Sequence, residues 1–152
     1  MTLETSTGFG EADVAISAEL YQVSGRTPEQ LWEVVGDPWR LAEWTDAERV
    51  DSVEPQPVTV GTRITTSQDG GERVWRVITV EPRLLEMTAE TNRGTLGVGI
   101  RVVGDPLGSR LIMAAQLAAS GLRVQIVDGP ALRRNLDRWC SAAVRVARAT
   151  TG

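Results

Sequence analysis

The tract from Arg26 to Trp44 (RTPEQLWEVVGDPWRLAEW) constrains the fold of this chain more than any other segment. Thr27, with Pro28 directly after it and Gln30 three residues on, is a capping signal for a helix that begins at Pro28. An apolar stripe at helical spacing follows, made of Leu31, Val34 and Val35. Gly36, followed by Asp-Pro, predicts the end of this helix.

A second short helical turn follows at once and carries the apolar residues Trp39, Leu41 and Trp44. We interpret three tryptophans of the tract as anchors that hold the short helices on a sheet, namely Trp32, Trp39 and Trp44. A strand-like run precedes the tract, and mostly strand-like sequence follows it. Two short helices directly after a first strand therefore restrict the fold to a small set of α+β architectures.

Length and composition predict one globular domain. A chain of 152 residues buries roughly 70% of its unfolded surface, so it needs no metal or disulfide to fold. Residues 1–11 are polar and acidic, so we expect a flexible tail there and a single domain over residues 12–152. The start of the chain lacks the pattern of a signal peptide, and no apolar run is long enough to cross a bilayer. We therefore expect a cytoplasmic protein.

Missing residue types exclude several kinds of chemistry. The chain has no histidine, and all 16 basic residues are arginine, which is typical of a GC-rich bacterial genome. Histidine-dependent triads, Schiff-base lysines and the usual zinc ligand sets are excluded, and we expect no metal and no cofactor. The single cysteine, Cys140, excludes an internal disulfide. We interpret it as a small core residue, because no basic side chain is evident that would lower its pKa.

Arginines are concentrated on the last predicted helix, although the net charge of the chain is −4. They are Arg133, Arg134, Arg138, Arg145 and Arg148. One interpretation is a face for nucleic acid or an anionic membrane, and the other is a solvated helix face. Since no aromatic residues are interleaved as a platform, we favour the solvated face. We expect no nucleic-acid partner and no stable membrane insertion.

Seven strands are predicted from runs of strand-like residues that turn residues separate. The runs are Ala12–Val23, Ala47–Val53, Thr62–Gln68, Glu72–Val80, Leu84–Thr91, Thr95–Val103 and Ser109–Ala119. The sequence Asp69-Gly70-Gly71 is a hairpin signal, and the other strand connections are also short enough for antiparallel pairing. Such a sheet must bury one of its faces.

A long C-terminal helix is predicted from Pro130 to about Ala149. Its apolar residues recur at steps of four and three, and they are Leu132, Leu136, Trp139, Ala143 and Val146. This helix is the only predicted element large enough to cover the sheet. Residues 121–127 are open to two interpretations, a short helix or a loop.

Several short motifs appear in a consistent order along the chain. They are Pro28-Glu29-Gln30-Leu31-Trp32, Asp37-Pro38, Trp44, Trp75-Arg76-Val77, Glu81-Pro82-Arg83, Gly108-Ser109-Arg110 and Gly129-Pro130. With the order of the elements, they resemble the helix-grip (START-related, SRPBCC) superfamily, in particular its bacterial polyketide cyclase/dehydrase-like branch. The resemblance implies a curved seven-stranded antiparallel sheet that grips the long helix, with a cavity between them. It is specific for fold, because several motifs appear in the right order. It is unspecific for activity, because this superfamily includes binders, transporters, cyclases and interaction modules.

Alternation along the strands sorts their residues into two faces. The apolar face collects Trp75, Val77, Thr79, Leu85, Met87, Ala89, Leu96, Val98, Ile100, Val102, Leu111, Met113, Ala115 and Leu117. The opposite face collects Arg76, Glu86, Thr88, Glu90, Arg101, Arg110 and Gln116. If Val77 pairs with Ala89, then Arg76 lies opposite Glu90 and forms a surface ion pair.

The apolar face is either a packed core or the lining of a pocket for a hydrophobic ligand. The fold resemblance favours a pocket, which we expect to be lined by Trp75, Val77, Met87, Val98, Ile100, Met113, Leu117, Leu136 and Trp139. Candidate catalytic groups are few, namely Arg73 with Tyr21 or Glu19. An arginine would polarise a ketone or hold an enolate, and a tyrosine or carboxylate would move the proton.

Three functions are consistent with the sequence. The first is binding of a hydrophobic, lipid- or polyketide-like molecule in an apolar cavity between the sheet and the C-terminal helix. The second is an enzyme of aromatase/cyclase or dehydratase type. The third is a toxin-like or chaperone-regulator protein that binds a protein partner and has only core inside. The nearly apolar inner face favours the first function over the second, and little separates the first from the third.

Overall fold

The computed structural model describes residues 13–120 and 129–150. Its elements are β1 (Asp13–Ser24), α1 (Pro28–Val35), a 3₁₀ turn (Pro38–Arg40), α2 (Leu41–Trp44), β2 (Arg49–Glu54), β3 (Arg63–Gln68), β4 (Gly71–Glu81), β5 (Leu84–Thr91), β6 (Gly94–Asp105), β7 (Gly108–Ser120) and α3 (Gly129–Thr150). The predicted tail at residues 1–11 and the ambiguous residues 121–127 lie outside the described residues.

The seven strands form one antiparallel sheet in the order β1-β7-β6-β5-β4-β3-β2. The chain runs from β2 to β7 by successive hairpins, and β1 closes the order by pairing with β7 over Asp13–Ser24 and Ser109–Ser120. The curved sheet holds α3 on its inner face, where α3 packs mainly against β1 and β7. The helix-grip architecture that the sequence predicts is therefore confirmed.

The capping signal at Thr27 forms as predicted. The Thr27 Oγ1 accepts a hydrogen bond from the Gln30 N–H at 3.1 Å, and the Thr27 N–H donates to Gln30 Oε1 at 3.0 Å. This reciprocal pair satisfies two donors that the helix itself leaves free. The apolar stripe of α1 then turns into the core, where Leu31, Val34 and Val35 are buried.

The three tryptophans of the first tract differ in their surroundings. Trp44 is buried and Trp32 packs against the core from a half-buried position. Trp39 is 46% exposed, and its Nε1 donates to Gln56 Oε1 at 3.1 Å. Trp39 therefore links the 3₁₀ turn to the segment after β2 through its indole N–H, from a half-exposed position.

The predicted pairing of Val77 with Ala89 is wrong. Val77 pairs with Met87, and Arg76 lies opposite Thr88 instead of Glu90. A bulge between Val77 and Thr79 adds one residue to β4, and the turn between β4 and β5 has only two residues. Both features shift the register from the one expected.

The same bulge reverses the alternation in the rest of β4. Thr79 pairs with Glu86, and Glu86 pairs with Gly99, in a row of outward-facing positions. The predicted inward position of Thr79 is therefore wrong, since one extra residue moves every later side chain to the other face. On the strands that have no bulge, the predicted inner residues are buried or pack against the core, as Met87, Ile100 and Met113 illustrate.

Candidate functional site

Two small cavities lie side by side between the inner face of the sheet and the helices. The larger has a volume of about 70 Å³ and is lined by Asp46, Arg73, Leu96, Val98, Ala115, Leu132, Asn135, Leu136 and Trp139. The smaller, of about 10 Å³, is lined by Leu41, Trp44, Thr45, Asp46, Ala47, Thr66, Gln68, Arg73, Trp75, Met87, Val98 and Trp139. Because they share Asp46, Arg73, Val98 and Trp139, these two cavities form one site, which we call the inner site.

Indole rings from three elements form the apolar part of the inner site. Trp75 projects from β4, Trp44 ends α2, and Trp139 lies in the middle of α3. The rings of Trp44 and Trp139 meet edge to face, with centroids 6.4 Å apart and planes at 80°. This arrangement stabilises aromatic pairs and holds α2 against α3.

Arg73 supplies the positive charge of the inner site. Its Nη1 lies 3.6 Å from Asp46 Oδ1, and its guanidinium carbon lies 5.8 Å from the centroid of the Trp75 ring. The Arg73 side chain is only 21% exposed, whereas that of Asp46 is 48% exposed. The guanidinium therefore stands at the edge of the cavities, between the aromatic interior and solvent.

A buried donor in the inner site has no hydrogen-bond acceptor in the described part of the chain. Trp44 is 2% exposed, and its Nε1 has no acceptor among the described residues. Two polar residues in the wall of the smaller cavity bond to each other, since Thr66 Oγ1 donates to Gln68 Oε1 at 2.8 Å. An unpaired buried N–H carries a desolvation penalty of about 1–3 kcal/mol. Trp44 is one of the wall residues of the smaller cavity.

The predicted pocket residues divide into two groups. Trp75, Met87, Val98, Leu136 and Trp139 line the inner site. Val77, Ile100, Met113 and Leu117 are buried but line neither cavity, because neighbouring side chains pack directly against them. Along the described strands most of the inner face is therefore packed core, and the two cavities of the inner site lie at the end near Arg73.

The predicted catalytic set is not brought together. Arg73 belongs to the inner site, whereas Tyr21 is 61% exposed on the outer face and stacks with Arg110 at 4.7 Å. Glu19 shares the outer face with Tyr21 and pairs with Ala114 in the sheet. The combination of Arg73 with Tyr21 or Glu19 is therefore wrong, because the phase of β1 sends both side chains away from Arg73.

Sequence reasoning missed Trp44, Asp46 and Asn135 as residues of the inner site. Trp44 was interpreted only as an anchor. Whether its Nε1 finds an acceptor depends on groups from distant parts of the chain. Asp46 follows α2 at the point where the chain turns toward β2, so it comes near Arg73 only in the folded sheet. Asn135 lies one position before Leu136 on α3, and its polarity at the edge of the apolar stripe was the available signal.

A wider groove lies on the outer face of the sheet. It has a volume of about 530 Å³ and is lined by Ser17, Ala18, Glu19, Ile78, Glu86, Met87, Thr88, Gly97, Val98, Gly99, Ala114, Ala115, Gln116 and Arg133. Gly97 and Gly99 leave its floor without side chains. A Cβ at Gly99 would make ordinary contacts of 3.6 Å with Glu86, so packing does not require glycine at this position.

The described part of the chain contains neither a candidate metal site nor a candidate membrane-spanning helix. No group of three or more cysteine, aspartate or glutamate side chains comes together there in a way that could hold a metal ion. No helix within residues 13–120 and 129–150 is both long enough and apolar enough to span a bilayer.

Cys140 lies on the buried face of α3, and burial raises the pKa of its thiol to about 12. Because the folded pKa lies above the unfolded one, the protonated thiol stabilises the protein below pH 9, and this stabilisation is lost as the pH rises toward 12. Between pH 7 and pH 10 we expect the free energy of unfolding of the wild type to fall by about 1.4 kcal/mol more than that of Cys140→Ala. Urea unfolding of both proteins at the two pH values measures this difference, and equal pH profiles would contradict it.

Solved structures with the same fold support this architecture. A protein from Mesorhizobium loti has a TM-score of 0.71 at 20% identity, with 90% of this chain and 99% of that chain covered. A protein from Rhodobacter sphaeroides has a TM-score of 0.66 at 23% identity, with 95% and 99% covered. Norcoclaurine synthase from Thalictrum flavum, solved with dopamine and hydroxybenzaldehyde, has a TM-score of 0.70 at 16% identity, with 100% and 99% covered. At these identities the likeness shows the fold alone.

Sequence comparison adds the family. No curated protein matches the chain. The family model described as polyketide cyclase / dehydrase and lipid transport matches residues 15–150, which is nearly the whole of the described sheet and α3. This chain therefore belongs to the polyketide cyclase/dehydrase and lipid transport family, a member of the helix-grip superfamily.

Proposed function

We propose that this protein binds a small, largely apolar molecule at the inner site, between the sheet and α3. The observation that carries the proposal is the cavity of about 70 Å³ beside Trp139. Its apolar wall is formed by Leu96, Val98, Ala115, Leu132, Leu136 and Trp139. Its polar residues are Arg73, Asp46 and Asn135, and the last two are exposed, so they mark the side that opens to solvent. An apolar interior with a few polar groups is typical of small-molecule sites.

The size of the cavity limits the ligand. A dry apolar cavity of about 150 Å³ is known to hold a benzene molecule, and ligand pockets usually measure about 300–1,000 Å³. The two cavities together have only about half the volume that holds benzene, so the inner site takes one ring or a short chain only after side chains move to enlarge it. Arg73 and Trp139 belong to the walls of both cavities, so their movement would join the two spaces. The contact of Arg73 with Asp46 is long, at 3.6 Å, and Asp46 is about half exposed, so we expect it to open at low cost.

Binding accounts for the inner site better than acid–base catalysis does. The ionisable side chains among its lining residues are Arg73 and Asp46. An arginine stays protonated in proteins and cannot act as a general acid or base at neutral pH. Asp46 is already close to Arg73 and is half exposed. A cyclase-type reaction would have to rely on orientation and on Arg73 to stabilise negative charge.

Ala115→Leu tests the location of the proposed site. Ala115 faces the cavity from β7, so a leucine fills part of the free space and we expect it to weaken binding of para-fluorobenzyl alcohol at least tenfold. Ala114 is its neighbour in the chain but belongs to the outer face, where it pairs with Glu19 and Gly99. Ala114→Leu is the matched control and should leave the affinity unchanged. Fluorine NMR titration of the alcohol with each purified variant measures both affinities.

The two variants also distinguish binding at the inner site from binding in the outer groove. If Ala114→Leu weakens binding and Ala115→Leu does not, the alcohol binds in the outer groove and the proposed inner site is wrong. If the wild type binds no alcohol, and native mass spectrometry of the purified protein shows no copurified small molecule, the proposed function fails altogether. Near-UV circular dichroism of each variant checks that overpacking has not disturbed the fold.

A further inference from the structure

We infer that the ligand of the inner site carries an anionic oxygen, such as a carboxylate, at the end that meets Trp44 and Arg73. This inference rests on the proposed function, because it concerns the same site. It goes further by assigning a chemical class, a small apolar acid, and by assigning the two groups that recognise its head.

The first argument is the unmatched indole of Trp44. Its Nε1 is buried, and no described residue accepts a hydrogen bond from it. Trp44 is a wall residue of the smaller cavity, so we place the ligand oxygen at this end, where the Nε1 comes within reach once the cavity enlarges. The indole N–H can only donate, which means that the ligand atom must be an acceptor. A cationic or purely apolar head would leave the donor unmatched.

The second argument is the charge that lines the same cavity. Arg73 lies in the walls of both cavities, and its contacts with Asp46 at 3.6 Å and with the Trp75 ring at 5.8 Å are both loose. A guanidinium has five N–H donors arranged for planar oxygen acceptors such as carboxylates. One neutral N–H and one guanidinium in the wall of the same small space favour an anionic oxygen over a neutral one.

The negative charge of Asp46 competes with an anionic ligand for Arg73. Removing that charge therefore tests whether the ligand is anionic. In the empty site its carboxylate is the partner of Arg73, so a ligand carboxylate has to replace it. Because Asp46 is about half exposed, water takes over its solvation once Arg73 moves to the ligand. Asp46→Asn removes the competing charge. We expect this variant to bind an acid several-fold more tightly than the wild type does.

Two matched compounds test the inference directly, namely para-fluorobenzoate and its neutral counterpart para-fluorobenzyl alcohol. We expect the wild type to bind the benzoate about tenfold or more tightly than the alcohol, as a charge-assisted hydrogen bond predicts. Arg73→Met keeps the aliphatic stem and removes the charge, so the two affinities should become nearly equal. Arg76→Met, on the outer face three residues along the strand, is the matched control and should preserve the preference. Fluorine NMR titration provides all of these affinities.

Trp44→Phe tests the second donor. It keeps an aromatic ring in place and removes the N–H, so benzoate affinity should fall about fivefold to tenfold with a smaller loss for the alcohol. Near-UV circular dichroism checks that this variant keeps its packing. If it does not fold, the Arg73 and Asp46 variants still decide the question.

The outcomes separate the two proposals. If neither compound binds, the proposed function fails and the inference fails with it. If both bind with equal affinity, the site exists but the inference is wrong. If the benzoate binds more tightly but Arg73→Met changes nothing, the anionic head is held elsewhere and the assignment is overturned.

Discussion

Gly108→Ala is expected to lower the free energy of unfolding by about 3 kcal/mol or more, although it adds only one methyl group. Gly108 begins β7 with a φ of +139°, a backbone conformation that residues with a side chain rarely adopt. A Cβ there would lie 2.5 Å from the Ser24 carbonyl oxygen and 2.8 Å from that of Arg26. Both obstacles are backbone atoms at the end of β1, so they cannot rotate away.

Gly104→Ala is the matched control for this prediction. Gly104 lies near the end of β6 in the same hairpin, and a Cβ there would meet nothing within 4 Å. We expect its free energy of unfolding to change by less than about 1 kcal/mol. Urea denaturation followed by tryptophan fluorescence measures both variants. Equal stability of the two variants would mean that the β6–β7 turn is not held against the end of β1.

Thr62→Val is expected to lower the free energy of unfolding by about 2–4 kcal/mol, because two hydrogen bonds are lost without any change in side-chain shape. Thr62 is fully buried just before β3. Its Oγ1 accepts from the Thr59 N–H at 3.0 Å and donates to the Pro55 carbonyl at 3.0 Å. Valine leaves both backbone groups without this partner, and each then carries a desolvation penalty.

Thr65→Val is the same substitution three residues along the chain. Thr65 pairs with Ser52 and Val74 within the sheet and is half-buried. Valine is favoured in strands, so this variant should match the wild type within about 0.5 kcal/mol. The difference between the two variants in urea denaturation isolates the role of the Thr62 hydroxyl. If Thr62→Val is as stable as Thr65→Val, the segment from Pro55 to Thr62 does not depend on this hydroxyl.

Local signals in the sequence predicted most of the fold. The capping box at Thr27, the Asp69-Gly70-Gly71 turn and the apolar stripe of α3 all act within a few residues, so they can be recognised without knowledge of distant contacts. Asp69 and Gly70 have φ values of 50° and 75°, as a tight hairpin requires. The strand from Leu84 to Thr91 was predicted with the bounds that are observed.

Register was the level at which sequence reasoning failed. Nothing in the residues around Ile78 indicates that β4 contains a bulge, because the run from Glu72 to Val80 alternates in an ordinary way. The bulge depends on how β4 fits β5 and β3 together, since Val77 accepts from Gly61 and donates to Thr62 while it also pairs with Met87. One inserted residue then misplaced Thr79 and the partner of Arg76.

The candidate site was predictable only in part, for a related reason. The periodicity of β4 and α3 identified Trp75 and Trp139, because period-two and helical spacing each define a face. The phase of β1 could not be determined from its imperfect alternation, so Tyr21 and Glu19 were placed beside Arg73 when they belong to the outer face. The role of Trp44 depends on the absence of an acceptor, which is a property of all its neighbours at once.

The sequence by itself determined the element order, the antiparallel sheet and the long covering helix, because capping, turn chemistry and hydrophobic period are local. Only the tertiary structure decided how much space remains inside and where it lies. A cavity is the difference between the volume that the backbone encloses and the volume that many distant side chains fill. Here that difference is small and lies beside Trp44, Arg73 and Trp139, which come from three elements far apart in the chain.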